Sequence, residues 1–231
     1  MAKAIKTVKN KTELQTLLKN INGVGKSLLE QWINLEPIYV GIETKANYED
    51  SIKKHLLDTT KTLTVDGYWC EFGVREGRSL HWLIDAYPTQ PIHAFDSWQG
   101  LPEDWDHGQG KVADMSCDPP EVPDHIKLYK GWFKDTIPSW QSNHKGNISF
   151  LHMDADIYSS TKEVLSNLNN QIVPGTVITF DEFTNFRLSG KMSKWRDHEF
   201  KALVEWLTEN NRQVQPLNRN WAYQASCVVI S

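Results

Sequence analysis

Cysteine is scarce in this 231-residue chain: Cys70, Cys117 and Cys227 are the whole set, with no CxxC and no paired spacing. An odd, scattered trio argues against a disulfide framework and against a zinc site, and makes a reducing compartment the default. Long apolar runs are missing too. No stretch reaches the ~20 residues that span a bilayer, and the lysine-bearing start, MAKAIKTVKNKTELQTLLKN, has no apolar core of the signal-peptide kind. A soluble cytoplasmic protein is the expectation. Basic charge is not in excess either: 25 Lys and Arg face 29 Asp and Glu, a net charge of -4. That balance argues against duplex nucleic acid or an anionic membrane as the main partner. With 39% hydrophobic residues, 13 glycines and 10 prolines, collagenous and wholly disordered chains are excluded. The surplus is in tryptophan, ten residues.

The pattern divides near residue 65. Before it, Leu14, Leu17 and Leu18, then Leu28, Leu29, Trp32 and Ile33, then Ile52, His55, Leu56 and Leu57 fall at helical spacing. Residues 1–65 therefore read as a helical cap, and 66–231 as the main domain. From Gly67 onward, short apolar runs alternate with helical patterns, the signature of βαβ units and a parallel sheet. The expected strands are YWCEFG, PIHAFD, IKLYK, ISFLHMD and TVITFD. Ser160 and Glu163 are spaced as a capping box ahead of Val164, Leu165 and Leu168. Phe200, Leu203, Val204 and Leu207 mark a later helix, and 213–230 reads as an antiparallel pair of strands at the sheet edge.

The segment EFGVREGRS follows a strand and enters a helix that Pro88 closes. Glycines let such a turn fold tightly, and the helix start offers unpaired amides to a polar ligand. Asp96 ends the next strand, 19 residues after Gly77, near the ~20-residue offset of an acid that binds ribose hydroxyls. The dinucleotide fingerprint is absent, because Arg75 stands two after Gly73. Glu71 beside the turn would repel a pyrophosphate; a cofactor without pyrophosphate and with positive charge, as S-adenosylmethionine is, fits better.

EFGVREGRSL, HAFDSWQGLPEDW, HMDADIYSSTKEVL and PGTVITFDEF, in that order between about Gly67 and Trp206, resemble class I methyltransferases of the macrocin O-methyltransferase type. The resemblance implies a doubly wound, mostly parallel, seven-stranded α/β sheet, Rossmann-like, with an N-terminal helical cap. It implies that Glu71, Gly73, Gly77 and Ser79 surround the methionine and ribose of the cofactor. Asp96 and Ser97 would meet the ribose hydroxyls, and Gly131 and Trp132 the adenine.

Asp154 and Asp156 follow ISFLHM, and Asp181 and Glu182 follow TVITF. Ligands of doubly wound sheets bind outside the carboxyl ends of the strands, so four acids converge where the glycine turn opens. Gathered carboxylates need a cation or shared protons, and Mg2+ or another divalent cation takes oxygen ligands while keeping positions for water and substrate. The resemblance implies Asp154, Asp181 and Glu182 as metal ligands, although many relatives carry a second aspartate where Glu182 stands. Asp156 is the first choice for a general base and His152 the second, since strand alternation puts both on the side of Asp154.

Residues 98–124, rich in acid, glycine and proline, read as a lid, and TNFRLSGKMSKWRDHEF as a second. Arg187, Lys191, Lys194 and Arg196 of the second are candidates to receive an acidic substrate. Trp98, Trp105, Trp132 and Trp195 are expected beside the site, offering flat faces to a ring-shaped ligand. The leading expectation is a Mg2+-dependent S-adenosylmethionine O-methyltransferase acting on a hydroxyl of a sugar or other small metabolite. A nicotinamide-dependent oxidoreductase and a methyltransferase-like binding domain without catalysis are the alternatives. No nucleic-acid or membrane partner is expected, and the oligomeric state, homo-oligomer included, stays open.

Overall fold

The computed structural model describes residues 11–40, 44–105, 110–188 and 192–231, with side chains from Gln15 onward. Its seven strands form one sheet: β1 (Tyr68–Phe72), β2 (Ile92–Asp96), β3 (Ile126–Lys130), β4 (Ile148–Met153), β5 (Ile172–Phe180), β6 (Val214–Arg219) and β7 (Ala225–Val229). The order is β3-β2-β1-β4-β5-β7-β6. Neighbours from β3 through β5 are parallel, whereas β7 is antiparallel to both β5 and β6. The expected terminal pair therefore forms, with its second strand turned inward against β5.

Helices α1 (Lys11–Leu18), α2 (Gly23–Asn34), α3 (Lys45–Thr60), α4 (Arg78–Ala86), α5 (Phe133–Asn143), α6 (Tyr158–Leu168) and α7 (Glu199–Glu209) cover the sheet. Every side chain of β4 is buried, as a parallel strand covered on both faces requires, and this is why its sequence is an unbroken apolar run apart from Ser149 and His152. Among the described residues no helix is long and apolar enough to cross a membrane.

The N-terminal helices share the core of the sheet: Leu17, Leu28, Leu29 and Trp32 belong to one buried cluster with Ile178, Phe180 and Trp206. Polar bonds fix them there. The Trp32 indole donates to the Ser226 carbonyl at 3.0 Å, and Arg219 donates to the carbonyls of Leu35 and Ile33 just past and inside the end of α2. The Thr44 side chain caps α3 by accepting the Asn47 amide, so Tyr48 enters on the face that also carries Ile52.

Two local expectations are corrected. Helix α6 begins at Tyr158 with Ile157 as its cap residue and no side-chain cap, so Ser160 and Glu163 both lie inside the helix and form no capping box. Three residues past the end of β4, Asp156 takes a left-handed backbone (φ 59°) that turns the chain into the helix ahead of Ser160. Strand β5 also starts earlier than TVITFD, at Ile172, running through Pro174 and Gly175 with a register shift against β4.

Candidate active site

Strand order reverses at β1 and β4, and the crevice opens there, outside the carboxyl ends of the strands. It encloses about 1000 Å³. Its lining includes Gly73, Ser79, Asp96, Ser97, Gly131 and Trp132 from the β1, β2 and β3 ends, the acids Asp154, Asp156, Asp181 and Glu182 from the β4 and β5 ends, and Tyr48, Arg187 and Tyr223.

The glycine turn owes its sequence to packing against the acids. Gly73 has φ 88°, and a Cβ on it would stand 1.7 Å from the Asp154 carbonyl oxygen. No other residue fits without moving the strand end that carries Asp154. The turn is then tied by Asp96: its Oδ2 accepts the amides of Val74 and Arg75, each at 2.8 Å, and its Oδ1 accepts the amide of Trp98 at 2.7 Å. A carboxylate has about four acceptor positions, so Asp96 spends most of its capacity shaping the turn and keeps little for a ligand.

Several expected site residues sit behind the crevice wall. Glu71 is fully buried, accepts the Ser79 hydroxyl and pairs with His152 Nδ1 at 3.0 Å, while its Oε2 has no partner. Neither Glu71 nor His152 lines the crevice. Gly77, in the left-handed region at φ 82°, ends the turn as the cap of α4 with Pro120 packed over it; it too lies outside the lining.

Three of the four acids converge. Carboxylate oxygens of Asp154, Asp156 and Glu182 all lie within 4.8 Å of one another; Asp181, expected as a ligand, is outside that cluster but lines the same crevice, and its backbone carbonyl accepts Gln224 Nε2 at 3.0 Å. Burial, then the charge of Asp181, raises Asp154 and Glu182 well above the usual carboxylate range. Asp156 is pushed up to about 7 by the same two causes, partly offset by Arg75. Burial also raises Asp181, while His152 and Arg78 pull it back. Glu182 Oε2 is buried with no hydrogen-bond partner. Converging oxygens that resist ionisation, one of them unpartnered, are a donor set that could hold a hard divalent cation.

Two contributors lie outside the motifs. Tyr48, from the N-terminal helices, stands beside Asp181 and Glu182; burial and then those charges raise its hydroxyl well above the ordinary range, against a hydrogen bond with Gln224. Glu199, the first residue of α7, is fully buried and accepts the Glu182 amide at 3.0 Å. Tyr48 stands four residues before Ile52, a spacing that marks its helix face but no chemistry; for Glu199 the sequence offers only an acid in the first turn of a helix.

The loops are pinned in part. Trp98 donates its indole N–H to the Arg75 carbonyl at 2.9 Å, and Ser159 donates to Glu103 at 2.7 Å across the crevice mouth. In the second segment, the amides of Thr184 and Phe186 bond to the carbonyls of Tyr223 and Ala222. Arg196 does not face the crevice: it donates to the carbonyls of Thr16 and Leu17 and stacks on Trp195. Arg187 lines it, over the rings of Trp221 and Tyr223. Lys191 lies outside the described residues. Of the four tryptophans expected at the site, Trp105 and Trp132 line it; Trp98 braces the turn, and Trp195 is core against Phe200.

Comparison with known proteins meets this geometry. Residues 70–183 match a family model described as a methyltransferase domain. Over 62 residues the chain is 33% identical to the 8-demethyl-8-(2,3-dimethoxy-alpha-L-rhamnosyl)-tetracenomycin-C 4'-O-methyltransferase of Streptomyces olivaceus, covering 27% of this chain and 23% of that one. Over 200 residues it is 22% identical to the mycinamicin III 3''-O-methyltransferase of Micromonospora griseorubida, covering 75% of each. The crystal structure of the calicheamicin methyltransferase CalS11 shares the fold, with a TM-score of 0.59, 20% identity, and coverage of 96% of this chain and 95% of that one. The matched stretches thus span about a quarter of the first relative and three quarters of the second.

Proposed function

We propose that the chain is a class I S-adenosylmethionine-dependent O-methyltransferase of the macrocin type that methylates a hydroxyl of a sugar or sugar-bearing small molecule with the help of a divalent cation. The observation that carries this reading is that Asp154, Asp156, Asp181 and Glu182 line one crevice together with the glycine turn, with oxygens of Asp154, Asp156 and Glu182 within 4.8 Å of one another. The names of the two curated relatives support the acceptor: one methylates a rhamnosyl-bearing compound at a 4' oxygen, the other mycinamicin III at a 3'' oxygen. A nicotinamide cofactor is set aside by the family.

Asp154, Asp181 and Glu182 would hold the cation, Mg2+ by its preference for carboxylate oxygen. When bound, it lowers the pKa of the acceptor hydroxyl and fixes that oxygen for in-line attack. S-adenosylmethionine would supply the methyl group from its sulfonium sulfur, the bond to the acceptor oxygen forming as the S–CH3 bond breaks and the neutral thioether S-adenosylhomocysteine leaves. The chain's own residues do the rest. The Gly73–Gly77 turn and Asp96 shape the cofactor side, with Gly131 and Trp132 flanking it. Glu71, buried behind the turn, accepts the hydroxyl of Ser79 and so fixes a side chain that does line the crevice. Asp156, whose carboxylate converges on the other acids from a left-handed turn, takes the acceptor's proton at a carboxylate oxygen. Tyr48 and Tyr223 offer flat faces to a sugar ring, and Leu101, Pro102, Trp105 and Met115, which line the crevice, keep water out.

Two measurements test this. Calorimetric titration with S-adenosylmethionine should show one site on the native chain and a weakened one on Asp96→Ala. Transfer of labelled methyl to glycoside acceptors should require added Mg2+ and fail in Asp181→Asn. A native chain that binds no S-adenosylmethionine would sink the reading; undiminished transfer by Asp181→Asn, or transfer in the presence of a chelator, would sink the cation's part alone.

A further inference from the structure

Glu199 is a buried acid that the proposed reaction does not use, and its hydrogen bond to the Glu182 amide gives it a part to play. We propose that Glu199 is a positioning residue which holds the turn after β5 in place, so that Glu182 stays within reach of the cation that Asp154 and Asp156 also face. The inference rests on the cation reading above.

The sheet holds these turns only up to their first residues. The Asp154 amide bonds to the Phe72 carbonyl at 2.8 Å, and the Asp181 amide to the Met153 carbonyl at 3.0 Å. There the ladder ends. The next amide after Asp181, that of Glu182, is taken by Glu199 Oε2 at 3.0 Å. One side chain thus holds the acid-bearing turn after β5 from a third element, α7, that carries none of the four acids.

The placement is costly and therefore informative. Glu199 has no exposure, and its Oε1 has no hydrogen-bond partner. A buried carboxylate with one oxygen unpaired destabilises the fold unless another interaction offsets it. Its site in the first turn of α7 offsets part, because a helix N-terminus favours negative charge. A glutamine would satisfy the Glu182 amide with no charge to bury, so stability alone does not account for the acid. A nearby cation would, adding attraction to Glu199 while its carboxylate keeps the Glu182 turn in place, in the manner of outer groups that orient metal ligands.

Three full-length variants separate the possibilities. Glu199→Met keeps the volume and removes the acceptor; Glu199→Asp keeps the charge but withdraws the acceptor by a methylene; Glu199→Gln keeps an acceptor without charge. Hydrogen exchange of the Glu182 amide reads the hold on the turn without any metal, and Mn2+ titration reads its consequence. In Glu199→Met and Glu199→Asp the Glu182 amide should exchange at least ~10-fold faster, and Mn2+ should bind about 10–100-fold more weakly. S-adenosylmethionine affinity should stay as in the native chain. Glu199→Gln should keep the slow exchange and lose only a few-fold in Mn2+ affinity. Native-like exchange in both Glu199→Met and Glu199→Asp overturns the proposal, as does a Glu199→Asp protein that binds Mn2+ like the native chain while Glu199→Gln does not. If the native chain takes up no Mn2+, the cation reading fails, and the exchange rates still decide whether Glu199 holds the turn.

Discussion

Replacing Gly73 by alanine probes the junction between the fold and the site. The backbone there has φ 88°, and the new Cβ would lie 1.7 Å from the Asp154 carbonyl oxygen, a backbone atom with no rotamer to yield. Left-handed backbone costs an L-residue about 1–2 kcal/mol, and forcing atoms into a filled space about 1–3 kcal/mol, so the substitution should cost about 2–5 kcal/mol. At roughly 2–4 °C per kcal/mol for a domain of this size, the melting temperature should fall by roughly 4–20 °C. Gly77→Ala is the internal comparison. Its φ is similar at 82°, but its Cβ would meet the Pro120 ring at 2.9 Å, a side chain on a loop. It should cost about 1–2 kcal/mol, the backbone term alone. Urea denaturation of both variants, with Mn2+ titration alongside, separates the two sites: only Gly73→Ala should also weaken metal binding, because Asp154 must retreat. Equal losses of stability in the two variants, or a Gly73→Ala protein that binds Mn2+ as the native chain does, refutes the reasoning.

Without metal, Asp156 titrates near 7 against an ordinary 3.8. A carboxyl raised by folding binds its proton more tightly in the folded state, so metal-free stability should fall as pH rises from about 4 to about 7, by up to about 4 kcal/mol. The rise in melting temperature on adding Mg2+ should therefore be larger at pH 8 than at pH 5, and equal rises would contradict it. Asp96→Ala strands three amides of the turn and should cost about 1–3 kcal/mol as well as S-adenosylmethionine affinity; Asp96→Asn, which keeps an acceptor oxygen, should lose less in both denaturation and calorimetry. Tyr48→Ala should raise the acceptor KM and leave cofactor affinity unchanged in steady-state kinetics and calorimetry, and a reversed pattern would place Tyr48 on the cofactor side.

Much of this architecture was legible because it follows from local chemistry. The five parallel strands stand out as short apolar runs ending in Gly or Asp, and the acids at their ends follow from the rule that ligands bind at carboxyl ends. What escaped was non-local. Ser160 and Glu163 have the spacing of a capping box, yet the left-handed turn at Asp156 starts α6 ahead of them, and no pattern in the sequence announces that turn. Arg196 looks like a substrate-facing charge but serves the carbonyls of Thr16 and Leu17, about 180 positions away. Trp195 looked like a ring platform and proved to be core. Tyr48 and Glu199 reach the acids from α3 and α7, and only the packing of those helices on the sheet reveals it.

The central claim is that the carboxylates at the ends of β4 and β5 hold one divalent cation beside the cofactor crevice. Mn2+ binding followed by electron paramagnetic resonance tests it most directly, on the native chain, on Asp154→Asn and Glu182→Gln, and on Asp124→Asn as a control outside the crevice. The expected result is one Mn2+ per native chain and per Asp124→Asn chain, with binding lost or at least ~10-fold weaker in the two crevice variants. No bound Mn2+ on the native chain, or binding that survives both crevice substitutions intact, would contradict the account.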